Sequence, residues 1–265
     1  MKLYISADIE GTTGITLWDE TRNGHSRYSY FAEQMSLEVA AACEGAISAG
    51  CDDIIVKDAH GSACNIIPRL LPEDVRIFRG WSKNPMCMVT NLDESFDGIF
   101  FTGYHSGAGM DTNPLSHTME TTNNYVKING VPASELMINS LTAASMGVPV
   151  RLVTGDKGLC DWIRSVNPNI ETVAVSEGFG YGSLSIHPNK AIRLIREAAE
   201  RAVKKPAADC MFPLPEYFDV EVCFKEHGKA RKAASFPGVV QTGPTTVCYH
   251  SDVYYDVMRM LDWIL

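Results

Sequence analysis

The chain has 265 residues, 45% of them hydrophobic, and a formal net charge of −9. That suits one large domain or two small ones around a proper core, and it speaks against a nucleic-acid binder, because no basic stripe is present to neutralise phosphates. The acidic balance fits a self-repelling cytoplasmic protein, and local acid can gather cations.

In chain order, "KLYISA" from Lys2 reads as a buried strand that runs into the polar loop "SADIEGTTG". Asp8 and Glu10 interrupt the apolar run too early for a signal peptide. No apolar stretch approaches the roughly 20 residues of a membrane helix. A long helix follows from about Tyr28 to Gly50, its apolar spacing near the helical period and its end marked by glycine. "DDIIVKDAHG" and "FDGIFFTGYHSGAG" are buried strands running into His60 and His105, with the short strand "VRIFRG" between them. "NYVKINGVP" carries the Asn129-Gly130 hairpin signal, and a helix is expected from Ala133 to Met146.

"VPVRLVTGD" is the next strand, then a helix near 157–166 with Asp156 as its cap. Strand "TVAVSE" follows, and "SEGFGYGS" after it reads as a flexible loop, since its glycines do not make a dinucleotide fingerprint. A helix opens at Pro188. "EYFDVEVCF" and "TTVCYHS" are later strands, "FPGVVQTG" between them is a loop, and a last helix is capped by Ser251 or Asp252. The alternation predicts an α/β fold with a mainly parallel sheet flanked by helices. The proline-bearing stretch 204–215 is the candidate linker, dividing 1–205 from a smaller C-terminal α+β unit, 206–265, that is separate or one domain with it.

None of the eight cysteines makes a C-x-x-C pair, so a thiolate zinc site is not expected and a reducing compartment is. His187, just before Pro188, reads as structural, and His227 and His250 have no partner pattern; Trp81, Trp162 and Tyr254 could line a pocket, with the core or an interface the favoured placement.

Chemistry gathers elsewhere. Asp8, Glu10, His60 and His105 each follow a buried strand, and the carboxyl edge of an open parallel sheet is where ligands bind. Each alone has a plain structural reading: a solvated acid pair, a loop imidazole held by a backbone group. Glu135 sits in a first helical turn, where the helix dipole already favours an acid. Together they form an all-N/O set suited to zinc, manganese or cobalt, and a two-metal site bridged by Asp8 uses all of them. His117, in "PLSHTME", reads as a further ligand, an acid/base group or a loop histidine.

The ordered set "SADIEG", "KDAHG", "GYHSGAG", "LSHTM" and "SELMINS", with "VTGDKG" and "PTTVCYHS" further on, resembles the DppA-type D-aminopeptidases, a family of zinc metallopeptidases. The resemblance spans nearly the whole chain. It implies a two-zinc site of Asp8, Glu10, His60, His105 and Glu135 with Asp8 bridging, and His117 as the catalytic residue outside the metal shell. It implies an enzyme that removes the first residue of short peptides or aminoacyl amides, D-specific in the family. It also implies a ring-like homo-oligomer, commonly a decamer. The competing expectations are a two-metal phosphoesterase, which the lack of a G-N-H-[DE] run disfavours, and a non-enzymatic metal-stabilised oligomer, which the cysteine-free set disfavours.

Overall fold

A computed structural model describes residues 1–265. β1 (Lys2–Ala7) leads through a long loop to α1 (Tyr28–Ser48), then β2 (Asp53–Asp58), β3 (Arg76–Phe78) and β4 (Gly98–Tyr104). The hairpin β5 (Asn123–Ile128) and β6 (Val131–Pro132) precedes α2 (Glu135–Ser145), β7 (Val150–Asp156), α3 (Lys157–Val166), β8 (Glu171–Phe179), β9 (Gly182–Ser185) and α4 (Pro188–Lys204). The chain closes with β10 (Phe218–Phe224), α5 (His227–Ala233), β11 (Val240–Gln241), β12 (Thr246–Ser251) and α6 (Tyr254–Ile264).

Seven strands form one sheet in the order β3-β2-β1-β4-β7-β8-β9, parallel except for the β8–β9 pair. Alternation along β1 and most of β4 sorts their side chains between the two faces, with an irregularity at Gly103 placing Tyr104 on the side of Phe101. Leu3, Ile5 and Phe100 enter a core with α1 and α4, while Tyr4, Phe101 and Tyr104 enter a larger one with α2, α6 and the second sheet. The fold is thus α/β, with helices covering a mainly parallel sheet. No helix is long and apolar enough to cross a membrane.

The second sheet is antiparallel, in the order β11-β12-β10-β5-β6. It takes β5 and β6 from the first half of the chain, so a division at residue 205 separates two stretches of chain but not two sheets. Nor is 204–215 a free tether. Arg151 Nη1 donates to the carbonyls of Ala202 and Lys205, and Asn167 Nδ2 to those of Asp209 and Met211.

Four local expectations change. Residues 178–185 form the β8–β9 hairpin, because Ser183 and Ser185 hydroxyls hold its return strand to Thr16 and Gly14. "FPGVVQTG" contains the short strand β11, which finishes the second sheet against β12. α5 is a short helix that the sequence pattern does not announce. Val253 stands at the cap of α6 with no side-chain cap bond, since the Ser251 hydroxyl bonds Val253 itself. Asp156 and His187 do cap α3 and α4, accepting from Leu159 N and Asn189 N.

Candidate metal centre

From β1 the chain winds outward through β2 to β3, then returns to place β4 on the other side of β1. The strand order therefore reverses between β1 and β4, and such a switch point opens a crevice at the carboxyl edge. Asp8 lies one residue past β1, His105 one past β4, and His60 two past β2; Glu135 opens α2 behind its cap Ser134. Two glycines let the strand ends close up. A Cβ at Gly11 would lie 1.9 Å from the Tyr104 carbonyl oxygen. Gly103 takes φ of +67°, and a Cβ there would come within 2.2 Å of the Asp8 carbonyl oxygen.

Asp8, Glu10, His105 and Glu135 are all buried. His60 Nδ1 lies 3.3 Å from Asp8 Oδ1 and 3.0 Å from Glu10 Oε2. His105 Nε2 lies 3.4 Å from Asp8 Oδ2 and 3.6 Å from Glu135 Oε2. The two oxygens of Asp8 thus face two different imidazoles, each with a second acid beside it.

Backbone carbonyls fix which imidazole nitrogens are bare. A carbonyl only accepts, so His60 Nε2, 2.8 Å from Thr21 O, carries a proton, as does His105 Nδ1, 2.9 Å from Ser106 O. In the neutral rings the nitrogens aimed at the acids are then lone pairs. Lone pair against carboxylate is repulsive unless a proton or a metal cation sits between them. Asp8 Oδ2, Glu10 Oε2 and His105 Nε2 are indeed buried with no hydrogen-bond partner. Asp8, Glu10 and His105 form one group able to hold a metal ion, and His105, His117 and Glu135 another.

The electrostatics point the same way. Burial works against charge on each group. For Asp8 it is outweighed by His105 and His60, which hold the carboxyl below the usual range. For Glu135 it is outweighed chiefly by the charge of His105. Burial lowers both imidazoles, yet Glu10 raises His60, and Glu135 raises His105, well above the ordinary histidine value. Acids this close demand positive charge.

His117 Nδ1 lies 2.9 Å from Leu115 O, leaving Nε2 free, 3.6 Å from Glu135 Oε1. Its ring stacks on His105 at 4.3 Å and meets Trp18 edge-on at 5.2 Å. It stands nearer the acids than its place in a loop suggests. Five of the six side chains singled out in the sequence line one cavity of about 410 Å³, with His105 buried beneath.

Apart from Trp81, the rest of the lining was not foreseen. Trp18 and Arg22 come from the long β1–α1 loop, and Trp81 and Lys83 from the segment after β3. The length of the first loop was the available signal, since long structureless loops in compact domains tend to be functional. Trp81, for which the sequence favoured the core or an interface over a pocket, is a cavity wall. Its Nε1 donates to Gly61 O at 2.7 Å, and the buried Lys57 ammonium lies 4.2 Å from its ring.

Carboxylates and imidazoles converging below an open cavity at the switch point of a parallel sheet define an α/β protein of the metallohydrolase type. The comparisons narrow that class. A model of the D-aminopeptidase family matches residues 1–263, and the chain belongs to that family. A D-aminopeptidase of Bacillus subtilis (strain 168) is 31% identical over 255 residues, covering 95% of this chain and 92% of the relative. The solved structure of the zinc-dependent D-aminopeptidase DppA from Bacillus subtilis, described as a self-compartmentalizing protease, superposes with a TM-score of 0.92 at 28% identity, covering 100% of this chain and 96% of that one.

Proposed function

We propose that the protein is a zinc-dependent aminopeptidase. It removes the first residue, a D-residue by family resemblance, from short peptides or aminoacyl amides. Asp8, Glu10, His60, His105 and Glu135 would hold two zinc ions, with Asp8 shared between them. The observation that carries this reading is the division of Asp8, whose Oδ1 faces His60 beside Glu10 and whose Oδ2 faces His105 beside Glu135. Two half-sites share one carboxylate. The unpartnered buried oxygens and the bare ring nitrogens fit N/O coordination.

When bound, the ions lower the pKa of a water and polarise a carbonyl. The chain's own residues do the rest. Thr21 O and Ser106 O fix the tautomers of His60 and His105. Leu115 O holds the Nδ1 proton of His117, so that Nε2 is the atom free to exchange a proton with substrate. Once Nε2 has taken up a proton, it donates a hydrogen bond to the developing oxyanion or passes that proton to the leaving amine. Trp18 and His105 clamp the ring in place.

The self-compartmentalizing description of DppA supports a homo-oligomer here too, a decameric ring by family resemblance. The eight free cysteines suit a reducing cytoplasm. The test is a panel of D- and L-aminoacyl amides, dipeptides and a phosphoester, offered to metal-loaded protein. Amide and peptide hydrolysis is expected; hydrolysis of the phosphoester alone would replace this reading with the phosphoesterase one.

A further inference from the structure

Arg22 and Lys83 both line the cavity, over a floor that includes Asp8, Glu10 and Glu135. Neither is paired with an acid. The contact Arg22 makes is with the face of Trp18, 5.3 Å from guanidinium to ring. Each cation arrives on a loop tied to the same turn: Thr21 O takes His60 Nε2 at 2.8 Å, and Trp81 Nε1 donates to Gly61 O at 2.7 Å. Lys83 is held at φ of +60°, a conformation that a lysine does not adopt freely. Two uncompensated cations, brought by two anchored loops to the mouth of an acid-floored cavity, are placed to meet an anion that enters with its other end down.

We propose that Arg22 and Lys83 form a carboxylate subsite. They receive the free C-terminal carboxylate of a di- or tripeptide whose amino end lies on the acidic floor. The inference rests on the aminopeptidase reading and names its substrate class: short peptides with a free carboxyl end, in preference to amides and longer chains. Guanidinium and ammonium groups both pair with carboxylate, the first in bidentate fashion. An extended dipeptide spans roughly 7 Å, and a cavity of about 410 Å³ has room for a ligand of that size. The polarity of the cavity, acid below and base at the rim, matches a zwitterionic peptide laid across it.

The test uses alanylglycine in D- and L-forms beside the corresponding alanylglycinamides, with metal-loaded full-length protein. Wild type should prefer the free acid over its amide. In R22Q/K83Q the ratio of the two kcat/KM values should fall by roughly five- to twentyfold, the loss lying in KM, as for partly exposed charge-assisted contacts. Charge reversal in R22E/K83E should invert the preference. An acid-to-amide ratio equal in wild type and both variants would overturn the subsite while leaving the peptidase reading intact. No hydrolysis of acid or amide by wild type would overturn both.

Discussion

At the scale of single residues, Asp8 is the test of bridging. Its two oxygens serve two imidazoles, so Asp8→Asn should lose bound metal as well as nearly all turnover. Metal analysis checks this directly, and unchanged metal content in that variant would show that Asp8 does not bridge. His117 makes the opposite prediction. It lines the cavity with Nε2 unengaged, so on the proposed mechanism His117→Ala should keep metal and lose turnover by about 10²- to 10⁴-fold, the usual contribution of a positioned acid or base; full activity would remove it from the mechanism. The residue types of the centre were legible because three strand ends deliver acids and imidazoles to one edge. Their orientation was not. It depends on the carbonyls of Thr21, Ser106 and Leu115, backbone atoms whose direction no motif records. Arg22 and Lys83 were equally silent, being ordinary surface cations until two loops fold over the same turn.

Among the elements, two buried acids tie helices to the centre. Asp156 caps α3 through Leu159 N and also accepts from Ser106 N and Oγ, at 2.9, 2.7 and 2.7 Å. It thereby holds the residue whose carbonyl orients His105. Asp156→Ala should cost about 2–4 kcal/mol in denaturant unfolding, because it strands several buried donors, and a loss below about 0.5 kcal/mol would contradict this role. Glu38 of α1 accepts from Thr13 N and Gln34 Nε2, and burial raises its pKa above the ordinary value of 4.5. A raised folded-state pKa means that the native state binds the extra proton. Stability is therefore fullest below pH 4.5 as far as this group is concerned, and is lost as pH rises towards the folded value. Glu38→Gln keeps the acceptor and removes that loss, so its stability relative to wild type should grow with pH; parallel profiles would argue against it. Asp156 was readable as a helix cap from "VTGDKG", but its bonds to Ser106 join segments 50 residues apart in the chain. The β8–β9 hairpin was misread for the same reason. Its glycines look like a loop until serine hydroxyls pin the return strand to the segment after β1.

For the whole molecule, alternation of strands and helices was enough to give the parallel sheet, because each element carries its own period. The second sheet was only half legible. Pairing of β5 with β10 joins Val126 to Val222 and Ile128 to Val220, partners far apart in sequence. A chain ending at residue 205 would leave that face of β5 and much of the larger core uncovered. Expressed alone it should be insoluble or lack a cooperative unfolding transition, whereas a soluble, cooperatively folding 1–205 would support the two-domain division. The assembly carried over from the family should show in sedimentation as a large multiple of the 29.1 kDa chain. The most direct measurement of the central claim is a zinc titration of metal-free protein, with hydrolysis of an accepted aminoacyl amide followed at each step. Activity should rise from nothing and level off at about two zinc ions per chain; full activity without metal, or two bound zinc ions with no peptide or amide hydrolysis, would contradict the account.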